Sequence, residues 1–269
     1  MESTAIVELC KELGMPQEVT YEVAFACEST CGEGLYPFVV ALTAHDTCVA
    51  AHTAISTQLE GRDEHGFVML AVQLYAALHT RKLYQAAGIS DAIFIDTMRC
   101  FPRFINEHFV TYGHYGFDRG WWTPRQLCMR LFRLGVLEFE WRPDATTISV
   151  HIPSDAVMEC DALAQSYAMV DNFFAAIGRS HTGLVCTTWL LYPALGAILP
   201  KGSRILNFRK DYEIEECIHD AKSIMLQVFK RGYDDMNDLP EDTHLQREVK
   251  KVLLRGGNIG NARGRYVGK

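Results

Sequence analysis

The sequence predicts an α/β (α+β) protein in which a helical N-terminal region packs on a mixed β-sheet with flanking helices. Three observations carry that prediction. Apolar residues recur every three or four positions as far as Tyr112, the spacing of helices that bury one face. The period falls to two between Leu137 and Ile152. Beyond that point helical stretches alternate with short β-branched apolar runs, as in a sheet covered by helices. The boundary is expected between residues 75 and 130; set at 120, it gives a helical region of 1–120 and a sheet region of 121–269. No internal repeat or low-complexity linker separates the two.

Taken in order, helices are expected over residues 4–13, 18–28, 36–59, 67–87 and 95–112, with Gly, Pro or short polar breaks between them. Pro124 suits the first turn of a sixth helix over 124–134, with Leu127, Leu131 and Leu134 on one side and Gly135 ending it. A hairpin over 137–152 follows, turning tightly at Asp144 and Ala145 after Pro143. That register sets Leu137, Phe139 and Trp141 against Ile152, Val150 and Ile148. On the opposite face Glu138 meets His151, Glu140 meets Ser149 and Arg142 meets Thr147. Next come a helix over 161–177, a strand over 184–191, a short helix over 193–199, a strand over 205–214 and a helix over 216–231. An acidic loop around 234–242 leads to a final helix with Leu245, Val249, Val252 and Leu253 on one face, then a Gly-rich tail from 256.

Composition bounds the function. With 48% hydrophobic and 22% charged residues the chain has enough apolar side chains for a large core. A net charge of -7 argues against a nucleic-acid partner, because Lys and Arg neutralising phosphates supply most of that affinity. Nine cysteines at irregular spacing do not read as a disulfide framework and fit a reducing compartment. The acidic start lacks the basic and apolar regions of a secretory signal, so a cytoplasmic protein is expected. The uncharged run 183–200 reads as a buried strand and helix rather than a membrane span.

Two constellations offer chemistry. A carboxylate at Glu138 beside an imidazole at His151 can move protons near neutral pH; the alternative is a solvated charge pair on an exposed face. A helix starting at Pro193 after a buried strand would expose free backbone N–H groups, an anion site, with Arg204 and Arg209 close behind. Cys186, inside the strand, reads as a small buried residue. Cys27-x3-Cys31, His45-x6-His52 and His108-x5-His114 lack metal-ligand spacing, so no metal is expected.

Several short stretches together resemble one family. They are Gly88-Ile89-Ser90 through Ile95-Asp96-Thr97, Tyr112-Gly113 with Tyr115-Gly116, and Leu131 to Gly135 with Leu137 to Glu140. They continue in His151-Ile152-Pro153, Cys186 with Trp189-Leu190-Leu191 and Pro193, Asn207-Phe208, Leu245-Gln246-Arg247 and Gly256-Gly257. Over most of its length the chain resembles bacterial acyltransferase-domain proteins with a helical N-acyltransferase N-terminal domain and a GNAT-like C-terminal domain. The resemblance implies a GNAT-like fold and transfer of an acyl group from acyl-CoA, as co-substrate, to a small-molecule amine.

On that reading the strand edge at Thr187, Thr188, Trp189, Leu190 and Leu191 contacts the pantetheine and polarises the thioester carbonyl, while Arg204 and Arg209 hold the CoA phosphates. Glu138 or His151 is the expected base. The Arg/Gln-x-x-Gly-x-Gly/Ala pyrophosphate loop of typical GNAT enzymes is absent, and Tyr192 and Thr188 stand where the family has Asp and Ser. Tyr192 supplies a hydroxyl that could protonate the departing thiolate, which makes it the candidate general acid. The rival is a non-catalytic GNAT-like protein that binds a ligand or partner. Neither nucleic acid nor membrane is expected as a partner, and a homodimer is left open.

Overall fold

A computed structural model describes residues 3–29, 34–220 and 222–268. Cys31, and with it the Cys27-x3-Cys31 spacing, lies outside them. The chain divides into two compact units, one of Met1–Leu134, Glu138–Glu140 and Asp171–Arg179, the other of Gly135–Leu137, Trp141–Val170 and Ser180–Lys269.

The first unit is built from α1 (Ser3–Leu13), α2 (Gln17–Ser29), α3 (Tyr36–Leu42), α4 (Cys48–Leu59), α5 (Phe67–Ala86), α6 (Asp91–Met98), α7 (Cys100–Tyr112) and α8 (Pro124–Leu127). In α1 the buried residues Ile6, Leu9, Cys10 and Leu13 follow helical spacing and form one apolar stripe. α5 buries an unbroken run from Met69 to Leu74, as a helix enclosed on more than one side must. Ser90 caps α6, its Oγ accepting from the Ile93 N–H at 3.4 Å.

Two segments expected as single helices are each split. After α3 the Thr43 and Thr47 hydroxyls donate to the Val40 and Ala41 carbonyls at 2.8 and 2.7 Å, local bonds that compete with helix continuation. Between α6 and α7, Pro102 lacks the N–H that a continuous helix would bond to the Met98 carbonyl.

The expected helix over 124–134 is corrected. α8 ends at Leu127, Met129 takes a φ of 56°, and Leu131–Leu134 forms strand β1. The left-handed Met129 is held by Arg179, whose Nη1 donates to its carbonyl at 2.5 Å. Leu127, Leu131 and Leu134 are buried in either geometry, so their spacing could not separate helix from strand. The hairpin turn falls at Gly135, whose φ is 65°, before β2 (Leu137–Glu140). The Ser166 hydroxyl accepts from the Val136 N–H at 2.8 Å. Phe132, Tyr84 and Phe94 form the aromatic centre of this unit, with Tyr84 within 5.6 Å of both other rings.

The remaining elements are β3 (Ile148–His151), α9 (Cys160–Ala176), β4 (Leu184–Thr188), α10 (Leu195–Ile198), α11 (Arg204–Lys210), β5 (Tyr212–Ile218), α12 (Lys222–Phe229), α13 (His244–Leu254) and β6 (Asn261–Tyr266). The six strands form one mixed sheet in the order β1-β2-β3-β4-β6-β5.

Four further expectations are overturned here. The tight turn at Asp144 and Ala145 is replaced by a connection over 141–147. Across Pro143, which cannot donate a ladder hydrogen bond, the Ala145 N–H donates to the Arg142 carbonyl at 3.2 Å, and the Arg142 side chain pairs with Asp144 at 2.9 Å. Residues 204–210 are helical rather than strand because Ser203 caps them, its Oγ accepting from the Leu206 N–H at 3.2 Å. The segment from Glu216 continues β5 to Ile218, and a helix forms only from Lys222. The Gly-rich tail contains β6, which is an interior strand. Its sequence, Asn-Ala-Arg-Gly-Arg-Tyr, lacks the β-branched residues that usually announce a strand. Among the described residues no helix is long and apolar enough to cross a membrane.

Candidate functional site

The second unit gathers its polar chemistry at one end of its strands. β3 and β4 are parallel, paired at Ile148 with Leu184 and Ser149 with Val185. β6 runs antiparallel to β4, with Thr188 opposite Ala262, and antiparallel to β5, with Ile218 opposite Asn261. β3, β4 and β5 therefore all finish at the same end, where β6 begins. Segments leaving the carboxyl ends of parallel strands are where α/β proteins place their ligands.

Three of those segments meet. After β4 a short 3-10 turn, Trp189–Leu191, is capped by Thr188, whose Oγ accepts from the Leu190 N–H at 3.3 Å. Tyr192 follows in extended geometry and is 7% exposed. Its hydroxyl lies 2.7 Å from Nδ1 of His219, just past the end of β5, and the two rings meet edge to face. Asn258, three residues before β6, donates from Nδ2 to the His219 carbonyl at 3.1 Å, and its Oδ1 is buried with no hydrogen-bond partner among the described residues.

Gly260 makes this junction fit. A Cβ there would lie 2.0 Å from the Ile218 carbonyl oxygen and 2.9 Å from the Asp220 nitrogen. Gly260→Ala is accordingly expected to cost about 1–3 kcal/mol or more, since neither clash can be relieved by rotating a side chain. Urea unfolding measures that loss.

The expected site residues fall into groups. Thr187 is exposed, Thr188 and Trp189 are half-buried, and Leu190 and Leu191 are buried. The strand expected to reach Leu191 stops at Thr188, and the expected helix begins at Leu195, with Pro193 two residues ahead of it. That four-residue helix is too short to support the predicted anion site. Arg204 heads α11 with its side chain 70% exposed and paired to Glu159 at 2.8 Å. Arg209 donates to the Pro193 carbonyl at 3.2 Å. A cleft of about 650 Å³ opens beside α11, lined by Cys160, Asp161, Tyr167, Asn207, Lys210 and Tyr266.

Glu138 and Glu140, expected on a polar face, are 2% and 5% exposed. In the first unit Glu138 lies 2.7 Å from Arg103, whose side chain is 7% exposed. Glu140 faces Arg130 at 2.8 Å and Arg125 at 3.6 Å. His151 ends β3 in the second unit and is half-buried. Cys186 is 1% exposed, and burial pushes its thiol up to about 12, so it is no nucleophile.

The sequence reading missed His219 and Asn258. Neither sits in a recognisable motif, and no spacing rule connects residues 192, 219 and 258; only the strand order does. No group of three or more His, Cys, Asp or Glu among the described residues could hold a metal ion.

Comparison with known proteins places these observations. Residues 4–129 match the family model of the N-acyltransferase N-terminal domain, and residues 131–266 that of the GNAT-like C-terminal domain. No curated protein matches the chain. A crystal structure of a mutant acyltransferase in complex with octanoyl-CoA has 20% identity and a TM-score of 0.82, covering 97% of this chain and 87% of that one. Another, of an acyltransferase in complex with decanoyl-CoA and teicoplanin, has 21% identity and a TM-score of 0.78, covering 96% and 86%. At these identities the likeness is one of fold.

Proposed function

Because the chain belongs to the family that joins an N-acyltransferase N-terminal domain to a GNAT-like C-terminal domain, we propose that it transfers an acyl group from acyl-CoA to an amine. The observation that carries this reading is the Tyr192 and His219 pair at the carboxyl end of β3, β4 and β5. The solved relatives of this fold hold acyl-CoA, and one also holds teicoplanin, a glycopeptide, which supports the co-substrate and an acceptor of small-molecule size.

In this mechanism the amine attacks the thioester carbonyl directly, and no covalent enzyme intermediate forms. Past the Ser149 and Val185 pair, the β3-facing edge of β4 and the turn Trp189 to Leu191 offer backbone groups to the pantetheine amides and to the carbonyl oxygen. Arg204 and Arg209 reach the CoA phosphates. The exposed Arg204 and Glu159 pair is worth little in water, so phosphate can displace it.

As the tetrahedral intermediate collapses, Tyr192 gives its hydroxyl proton to the departing thiolate, and His219, at 2.7 Å, holds that hydroxyl in place and exchanges protons with it. His151, or a water it holds, takes the proton from the amine. Glu138 is assigned to holding Arg103, because a carboxylate in a buried ion pair would have to abandon its partner to act as a base.

The test is thermal melting with CoA, acetyl-CoA and longer acyl-CoAs, followed by turnover with amines. A ligand at a hundredfold over its Kd stabilises by roughly 2.7 kcal/mol, a shift of several degrees for a chain of this size. No shift with any acyl-CoA would overturn the proposal. A shift without turnover of any amine would favour the non-catalytic binding protein.

A further inference from the structure

His219 owes its place to its main chain. The Asp220 N–H donates to the Ile218 carbonyl at 2.9 Å, so His219 is the middle residue of a three-residue turn that ends β5. The ladder with β6 stops at Ile218 and Asn261, which leaves the His219 carbonyl beyond it in need of a donor. Asn258 supplies that donor, its Nδ2 lying 3.1 Å away. The chain around Asn258 is held on both sides. Before it, the Gly256 and Gly257 N–H groups donate to the Leu253 and Val252 carbonyls, each at 2.9 Å, and close α13. After it, Ile259 is fully buried and Gly260 packs against the Ile218 carbonyl and the Asp220 nitrogen. From this geometry we propose that Asn258 is a positioning residue, which fixes the main chain of His219 and through it aims the ring at the Tyr192 hydroxyl.

Its role is indirect and rests on the transfer reading above: the amide holds the imidazole, and the imidazole holds the acid. Tyr192 meets Nδ1, the ring nitrogen nearer the main chain, at 2.7 Å. Only the Cα–Cβ and Cβ–Cγ bonds join that ring to the backbone, so a shift of the turn carries the nitrogen with it. A misplacement of about 1 Å can cost on the order of a hundredfold in rate. The Asn258 Oδ1 is buried with no hydrogen-bond partner among the described residues, so the amide is bonded there through its donor alone. Removing that donor therefore cuts the polar link from the segment before β6 to His219 and leaves a main-chain carbonyl unpaired.

The test uses Asn258→Leu in the full chain, which keeps the size of the side chain and removes the donor. The acyl-CoA KM should stay within about twofold of wild type while kcat with an amine falls about ten- to a hundredfold. In Tyr192→Phe the same substitution should lower kcat by less than about twofold, because the ring it aims no longer has a hydroxyl to hold. A second readout is independent of turnover: two-bond proton–nitrogen spectra of the His219 ring, whose resonances are those that His219→Gln removes. In mildly alkaline buffer its two nitrogens should be well separated in the wild-type chain, since the Tyr192 hydroxyl favours one tautomer, and should draw together in Asn258→Leu. Unchanged His219 resonances in that variant would overturn the proposal. So would unchanged turnover in an active enzyme, or an equal loss of kcat with and without the Tyr192 hydroxyl, the mark of a structural role. Absence of amine turnover in the wild-type chain counts against the transfer reading alone, and the ring spectra still decide whether Asn258 aims His219. If Asn258→Leu does not fold, Asn258→Ser, too short to reach the carbonyl, is read the same way.

Discussion

Tyr192→Phe is expected to lower kcat with acyl-CoA and amine about a hundredfold or more, the usual scale for loss of a positioned acid, and to leave the acyl-CoA KM nearly unchanged. The ring keeps its buried place, because phenylalanine differs only by the hydroxyl and the edge-to-face contact with His219 survives. What disappears is the proton that would meet the departing thiolate, a transition-state interaction rather than a ground-state one. His219→Ala should lower kcat in the same direction with Tyr192 intact. The double variant should then be little worse than Tyr192→Phe, since the two side chains act as a unit. Full turnover in Tyr192→Phe, measured by release of free CoA thiol, would remove Tyr192 from the mechanism.

The second large effect is on stability. Arg103→Ala should destabilise the protein by about 3–5 kcal/mol, the cost of leaving the other member of a buried ion pair without its countercharge. Here that member is Glu138, enclosed at 2% exposure. Replacing both residues with apolar ones of similar size, as in Arg103→Met with Glu138→Leu, should recover much of the loss, because two desolvated charges are removed together. Equilibrium unfolding in urea reads both. A loss below about 0.5 kcal/mol for Arg103→Ala, the range of ordinary surface substitutions, would show that the pair does not hold the fold. If Glu138→Gln instead kept its stability and lost turnover, proton transfer would return to that carboxylate.

The contrast between Glu138 and Tyr192 shows where sequence reading stops. Alternation places Leu137 and Phe139 on one face of β2 and Glu138 and Glu140 on the other, but it cannot say what covers the second face. In the fold that face is buried, and Arg103, distant in sequence, and Arg130, at the start of the same hairpin, supply the countercharges. Tyr192 is the reverse case. Its place after a buried strand was readable, whereas its partner His219 became visible only once β5 and β6 were set beside β4. The helices were readable because burial on one face repeats at helical spacing, as in α1. Strand β6 was not, because an interior position is earned by backbone pairing on both edges, and its Gly and Arg residues carry no mark of it.

By itself the sequence determined the class of fold, the helical first half, the hairpin strand at Leu137 and the buried strand that leads to Tyr192. These follow from local periodicity, since a side chain's face is set by its own backbone. Only the tertiary structure decided that Leu131–Leu134 is a strand, that Glu138 answers Arg103 and that Tyr192 meets His219. Each of those joins residues with no periodic relation to one another. Contacts of that kind depend on how strands and helices pair across long stretches of chain, and no local rule encodes the pairing.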